Sequence, residues 1–155
     1  MATARALATM GASIIFAGAA AAQSASDVEI KRAIGEVAGE LQICSDYFLV
    51  GSSCLSAQEP SLARTYREMS DKVADLAIKS GRAIGVSDEA YAAMAQLETE
   101  TMMKSMRGNC TNIAVLLQRY SKFCQRLSQD ADPRVKEWIV CARAKQRTCN
   151  GPGLP

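Results

Sequence analysis

Six cysteines are the residues of this 155-residue chain that are best able to do chemistry. Cysteine thiolates bind soft metals, attack disulfides or are themselves oxidised to disulfides. The chain has no Cys-x-x-Cys spacing, which a redox or zinc site would favour, and its cysteine count is even. In a small exported chain this pattern is typical of a structural disulfide framework. The six positions are Cys44, Cys54, Cys110, Cys124, Cys141 and Cys149.

Histidine is absent from the chain, and its absence excludes several classes of enzyme. Ser-His-Asp catalysis, Cys-His catalysis and zinc sites that need imidazole all lack their base or ligand. The sequence also contains no Gly-rich phosphate loop, no G-x-S-x-G motif and no S-x-x-K motif. Catalysis would therefore depend on carboxylates, Lys, Tyr or a borrowed cofactor, and a glycosidase would need two carboxylates at a fixed separation across a cleft. The sequence favours a non-enzymatic protein without a cofactor.

Cations are concentrated near the C-terminus, where they could bind an anionic partner. The segment from Arg134 to Arg147 carries five cations and one acid, Glu137. Lys136, Arg143 and Arg147 fall on one helical face, because their spacings are seven and four residues. This face predicts a binding surface for a protein or for an anionic component of the cell envelope. The alternative is a solvated face whose cations suit the negative end of a helix.

Methionines crowd one stretch of the chain, at positions 94, 102, 103 and 106. Thioethers bind Cu(I), a soft metal, but they more often fill irregular cores or cover adaptable contact surfaces. The sequence therefore predicts a core or contact role for them and no metal site. Met102 and Met103 are adjacent, so both cannot face the same core, and we expect one of them at the surface or at a partner contact.

The first 22 residues are typical of a signal peptide for export. Arg5 is their one charge, an apolar run follows it, and residues 20–22 are alanines that fit the small-x-small rule of signal peptidase. We expect cleavage after Ala22, with Ala25 as the second choice, and a periplasmic or secreted mature chain. The apolar run is short and Ala-rich for a membrane anchor, so we do not expect the mature chain to span a membrane.

Residues 23–155 are long enough for a single domain with one core. The chain has 18 Lys and Arg against 16 Asp and Glu, and only Arg5 of these lies in the signal segment. This balance argues against nucleic acid as a partner. Apolar residues recur every three or four positions, which indicates helices, and no strand-type alternation runs for a useful length. We therefore expect an all-α fold, a small antiparallel bundle of four to five helices stapled by disulfides.

The boundaries of the helices are predicted by breaks in the apolar pattern and by capping residues. The first helix is expected over residues 27–49 and is ended by Gly51. Pro60 fits the first turn of the second helix, which Gly81 and Gly85 end. The remaining helices are predicted after Ser87, along the stripe from Ile113 to Leu127, and from Pro133.

Six cysteines allow 15 pairings, and helix geometry favours some of them. Cys110 and Cys124 are 14 residues apart, or about 21 Å along one helix, which is too far for a disulfide. A turn at Pro133 would fold the fifth helix back along the fourth and bring their cysteines level. We therefore expect three bridges: Cys44–Cys54, Cys110–Cys149 and Cys124–Cys141.

A second pairing follows from a hairpin of the second and third helices. The hairpin would bring Cys110 near the start of the second helix, close to Cys54. This arrangement predicts Cys54–Cys110 together with Cys44–Cys149.

Together these features predict an exported, non-enzymatic binding or structural module of the bacterial cell envelope. The alternative is a carrier with a small apolar ligand in the bundle core, which would need a cavity of about 300 Å³ or more. A small envelope hydrolase that uses carboxylates is a third hypothesis. It would need an open cleft and a carboxyl group of raised pKa.

Overall fold

The computed structural model describes residues 25–144 and residue 149. Over this part of the chain the fold is an all-helical bundle, which confirms the predicted fold class. The elements are α1 (Asp27–Leu55), α2 (Pro60–Arg82), α3 (Asp88–Ser105), a short 3-10 helix (Cys110–Asn112), α4 (Ala114–Gln129) and α5 (Asp132–Arg143). The predicted signal segment, residues 1–22, lies outside the described residues.

Helix α1 forms the centre of the bundle, because each of the other helices packs against it. Its apolar stripe includes Leu41, Cys44 and Phe48, which are spaced three and four residues apart and are almost inaccessible to solvent. Small and apolar residues on its other sides, such as Ala33 and Tyr47, are buried too. A helix that is apolar on several faces is typical of the interior position. No helix of the described part of the chain is long and apolar enough to cross a membrane.

The start of α1 is closed by a capping box. The Ser26 hydroxyl accepts a hydrogen bond from the Glu29 backbone N–H at 3.3 Å, and the Glu29 carboxylate accepts one from the Ser26 N–H at 2.8 Å. Two backbone donors that the first helical turn leaves unpaired are thereby satisfied.

Two glycines that were expected to end helices lie inside them instead. Helix α1 continues past Gly51 to Leu55, and Gly81 lies within α2. A Cβ at Gly51 would come within 2.6 Å of the Tyr66 ring, and a Cβ at Gly81 would overlap the Tyr91 side chain. These glycines therefore allow a tyrosine of the neighbouring helix to pack against the backbone. Gly85, whose φ is +91°, follows the end of α2 as the sequence predicts.

We expect Gly81→Ala to lower the free energy of unfolding by about 1–3 kcal/mol, because the new methyl group overpacks against Tyr91. Thermal unfolding followed by circular dichroism measures the effect. The matched control is Gly39→Ala in α1, where nothing lies within 4 Å of the new Cβ. That change should instead stabilise the helix by about 0.5–1 kcal/mol. Equal changes of the unfolding temperature in the same direction for both variants would contradict the close packing of Tyr91 against Gly81.

The disulfide pairing differs from the predicted one at all three bridges. The bridges are Cys44–Cys124, Cys54–Cys110 and Cys141–Cys149, with Cα atoms 5.1 to 5.6 Å apart. The predicted pairs Cys44–Cys54, Cys110–Cys149 and Cys124–Cys141 are wrong. The alternative pairing contained Cys54–Cys110 and is right for that bridge alone.

The continuity of α1 explains the first of these errors. Cys44 and Cys54 lie on one uninterrupted helix and are therefore about 15 Å apart along its axis. The other errors arise because α5 packs mainly against α1 and not alongside α4, so its cysteine does not come level with Cys124. Three disulfides are typical of a chain that folds in an oxidising compartment.

The centre of the bundle is filled by aromatic and methionine side chains. Tyr47 lies against Phe48, Tyr66 and Tyr120, with ring centroids 4.9 to 5.9 Å apart, and its hydroxyl is 3.2 Å from that of Tyr66. These contacts join α1, α2 and α4. Two methionines belong to the same core, since Met102 and Met106 are fully buried, whereas Met103 is half-buried and Met94 is exposed.

Candidate binding cleft

A cleft of about 310 Å³ opens to solvent between the C-terminal half of α4 and the first turns of α5. Its surface is mostly apolar, and charged side chains border it. The volume is at the lower end of the range for small-molecule pockets and is enough for one large side chain. The lining residues are Phe123, Arg126, Leu127 and Gln129 of α4, Asp130 of the turn, and Pro133, Arg134 and Glu137 of α5.

The turn between α4 and α5 sets the width of this cleft. Asp130 adopts an extended backbone conformation that ends α4, and its carboxylate accepts the backbone N–H of Asp132 at 3.0 Å. Pro133 then occupies the first turn of α5, where its missing N–H costs nothing. The last turn of α4 is held from outside, because Lys72 Nζ of α2 donates to the Ser128 carbonyl at 3.2 Å. A cation at a helix C-terminus also suits the helix dipole.

A buried ion pair fixes α5 against α1, and its arginine, Arg134, lines the cleft. Arg134 donates through Nε and Nη2 to the Glu40 carboxylate, at 2.8 Å to Oε2 and 2.5 Å to Oε1. Its Nη1 donates to Glu137 at 2.7 Å, and Trp138 Nε1 donates to Glu40 Oε1 at 3.2 Å. Arg134 and Glu40 are both buried. We call these four residues the Arg134 cluster.

The electrostatics of the Arg134 cluster favour the charged form of Arg134. Hydrogen bonding to the Glu40 carboxylate raises the pKa of Arg134, burial lowers it, and the bond to Glu137 raises it further. The guanidinium carbon also lies 5.3 Å from the Trp138 ring centroid and 5.9 Å from that of Phe123, within cation–π range. All the buried side-chain polar atoms of the described residues have hydrogen-bond partners. The cleft wall is therefore a satisfied network, which rigidifies its surroundings.

The basic face that the sequence predicts on α5 is only partly described. Lys136 is exposed on α5. The Arg143 side chain lies with its Nε 3.6 Å from the Glu29 carboxylate at the start of α1, so it also contributes to holding α5 on α1. Arg147 lies outside the described residues. Arg134 is not predicted as a core residue from the sequence, although it is buried. The available signal is its spacing, because Arg134 precedes Trp138 by four residues and the two therefore share one helical face.

A buried carboxyl group lies in the core rather than in the cleft. Asp46 of α1 is 2 % exposed, and Gln42 Nε2 donates to its two oxygens at 3.1 and 3.2 Å. Burial raises the pKa of Asp46 to about 7, the Gln42 bond opposes this rise, and the charge of Glu98 on α3 adds to it. Asp46 is not among the residues that line the cleft.

Metal binding has no candidate site in the part of the chain that the structure describes. No three of its Asp, Glu and Cys side chains are placed to share an ion. Comparison of the chain with protein-family models, with curated proteins and with solved structures finds no significant match.

Proposed function

We propose that this chain is an exported, non-enzymatic binding module of the bacterial cell envelope, periplasmic or secreted, and that the cleft between α4 and α5 is its binding site. The observation that carries the proposal is the cleft itself, which is mostly apolar and bordered by a few charged groups. Pockets with this lining are the usual places where proteins bind ligands. The signal-like segment and the disulfides support export.

The Arg134 cluster supports a binding role because it keeps the cleft in shape before a partner arrives. Arg134 is held by Glu40 and Glu137 together, so its side chain has little rotamer freedom left to lose. Sites that are ordered in the free protein lose less entropy on binding.

The position of the carboxyl groups favours binding over catalysis. A general acid or base must reach the substrate directly or through one water molecule. Asp46, the carboxyl group of raised pKa, is buried among core residues and does not line the cleft. Asp130 and Glu137 do line it, but the Asp130 carboxylate accepts the backbone N–H of Asp132 and the Glu137 carboxylate accepts a hydrogen bond from Arg134.

The size of the cleft favours a protein partner that inserts one apolar side chain. Interfaces commonly rest on a few apolar or aromatic anchors that fill such pockets. The carrier hypothesis would place a ligand in the bundle core, where Met102, Met106 and Leu116 are fully buried side chains. Bound lipid in the native mass spectrum of the purified protein would favour the carrier.

Capture from envelope extract tests the proposal when it is combined with a variant that fills the cleft. We expect the oxidised protein to retain a specific partner, and Gln129→Trp to abolish retention by occupying the cleft. Gln118→Trp is the matched control, because Gln118 is exposed on the same helix, about 16 Å away, and does not line the cleft. Equal retention by both variants would overturn the assignment of the cleft.

A further inference from the structure

Helix α4 presents a cationic surface next to the cleft. Its residues Ala114–Gln129 include Arg119, Lys122 and Arg126 and contain no Asp or Glu. All three cations are exposed, and their spacings of three and four residues place them on one face. This exposed row is separate from the basic face that the sequence predicts on α5.

A second depression makes this cationic surface continuous with the cleft. It has a volume of about 340 Å³ and is lined by Lys122, Gln125, Arg126 and Gln129. Arg126 and Gln129 line both the depression and the apolar cleft. We call the four residues of the depression the α4 surface. A partner that fills the cleft therefore contacts Arg126 and Gln129, two residues of the α4 surface.

We propose that the partner is an acidic protein segment, which places one apolar side chain in the cleft and its carboxylates against Lys122 and Arg126. This inference rests on the proposed function and names the chemistry of its partner. Exposed ion pairs contribute only about 0.2–1 kcal/mol each, so the apolar anchor supplies most of the affinity. The charges set the orientation of the segment and the rate of association.

The borders of the cleft favour a protein segment over a lipid surface or a nucleic acid. Phe123 and Leu127 are recessed, at 7 % and 3 % exposure, so they cannot insert into a bilayer. Asp130 and Glu137 also border the cleft, whereas the depression beside it is lined by Lys122 and Arg126 and by no acidic residue. The carboxylates of the segment therefore lie over the depression, and a continuous row of phosphates, which would extend over both, is disfavoured. The carboxylates of Asp130 and Glu137 can accept hydrogen bonds from the backbone N–H groups of a bound peptide.

Peptide probes test this inference by nuclear magnetic resonance of the isotopically labelled, oxidised protein. The first probe is an acetylated and amidated pentapeptide with the sequence Glu-Glu-Phe-Glu-Glu. We expect it to shift the amide resonances of the second half of α4 and the first turns of α5. A probe with Ala in place of Phe should bind about tenfold more weakly, because it lacks the anchor. A probe with Lys in place of Glu should bind more weakly still.

Charge reversal separates the role of the α4 surface from that of overall charge. The double variant Lys122→Glu with Arg126→Glu should bind the acidic probe about tenfold more weakly than the unchanged protein does. It should bind the Lys probe more tightly than the unchanged protein does. The matched control is Arg64→Glu with Arg67→Glu on α2, because these arginines are exposed and do not line the cleft or the depression. The control changes the net charge equally and should leave probe binding within about twofold.

Three results would overturn the inference. The first is a Lys probe that binds the unchanged protein as tightly as the acidic probe does. The second is an affinity for the acidic probe that stays the same when Lys122 and Arg126 are both changed to Glu. The third is binding of phosphatidylglycerol vesicles, lost in the double variant, without binding of any peptide. If Gln129→Trp abolishes capture but the probes show no preference for acid, the cleft remains the binding site and only the acidic partner is rejected.

Discussion

Arg134→Met should lower the free energy of unfolding by about 3–5 kcal/mol, which is the usual cost of removing one partner of a buried ion pair. The reason is that Glu40 would remain buried as a carboxylate without its guanidinium. Helix α5 packs mainly against α1, and its disulfide, Cys141–Cys149, ties it to no other helix. We therefore expect α5 to separate from α1 first.

The fluorescence of Trp138, the single tryptophan of the chain, measures this separation. Trp138 is buried in the native protein, so its emission should shift to longer wavelength in Arg134→Met at low urea concentration. Urea unfolding followed by circular dichroism, with the disulfides intact, then gives the loss of stability.

Two further variants make the Arg134 prediction specific. Glu40→Gln combined with Arg134→Met should recover most of the loss, because the pair is removed together and the Gln oxygen can still accept from Trp138. Arg82→Met breaks an exposed pair of similar geometry, with Asp88, in which both side chains are more than half exposed. It should have much less effect. If Arg82→Met lowered the free energy of unfolding as much as Arg134→Met does, burial would not be the reason for the large effect at Arg134.

The protein should become less stable as the pH rises from 4 to 7, through a contribution from Asp46. The pKa of Asp46 is about 7 in the fold, above its ordinary value of 3.8. The folded state therefore holds a proton that the unfolded chain releases between these values, so the contribution is complete below pH 4 and is lost as the pH rises through 7. Its size is about 4 kcal/mol over this window.

Unfolding by urea at pH 4, 5.5, 7 and 8 measures this contribution as a difference between variants. Asp46→Asn cannot ionise, so its stability relative to the unchanged protein should increase steadily from pH 4 to pH 7. Asp71→Asn, at an exposed position on α2, is the control and should follow the unchanged protein. Parallel curves for Asp46→Asn and the unchanged protein would show that Asp46 does not hold its proton in the fold.

Much of the fold could be predicted from local signals. The stripe through Leu41, Cys44 and Phe48 is buried, and Pro60 and Pro133 lie in the first turns of their helices. Each of these features depends on residues a few positions apart in the chain. Local sequence determines helix periodicity and capping, so such features can be read without knowing the neighbouring helices.

The features that could not be predicted depend on contacts between distant elements. Gly51 and Gly81 look like helix breakers in sequence, but a tyrosine from the next helix requires the small residue at each position. The cysteine pairs depend on which helices are neighbours, and the local sequence does not determine the order in which the helices pack around α1. The two predicted pairs Cys110–Cys149 and Cys124–Cys141 both assume that α5 lies alongside α4, so this one wrong assumption makes both of them wrong.

The candidate site was missed for the same reason. Spacing along α5 singled out Lys136 and Arg143, whereas the cleft depends on Arg134 and on Glu40, which lies 94 residues earlier. One signal was available in the sequence, since Glu40 lies at the edge of the apolar stripe of α1, three residues after Val37 and four before Cys44. A charge in such a stripe requires a buried partner, but sequence does not say which cation supplies it.

Photo-crosslinking from within the cleft tests the proposed binding site most directly. A benzophenone amino acid is incorporated at Gln129, or at Gln118 as the control, in the full chain in its producing cells. Irradiation should yield a discrete protein adduct from position 129 that is absent from position 118, and the adduct should disappear when Lys122 and Arg126 are reversed to Glu. The same adducts from both positions, or none from position 129, would contradict a binding site between α4 and α5.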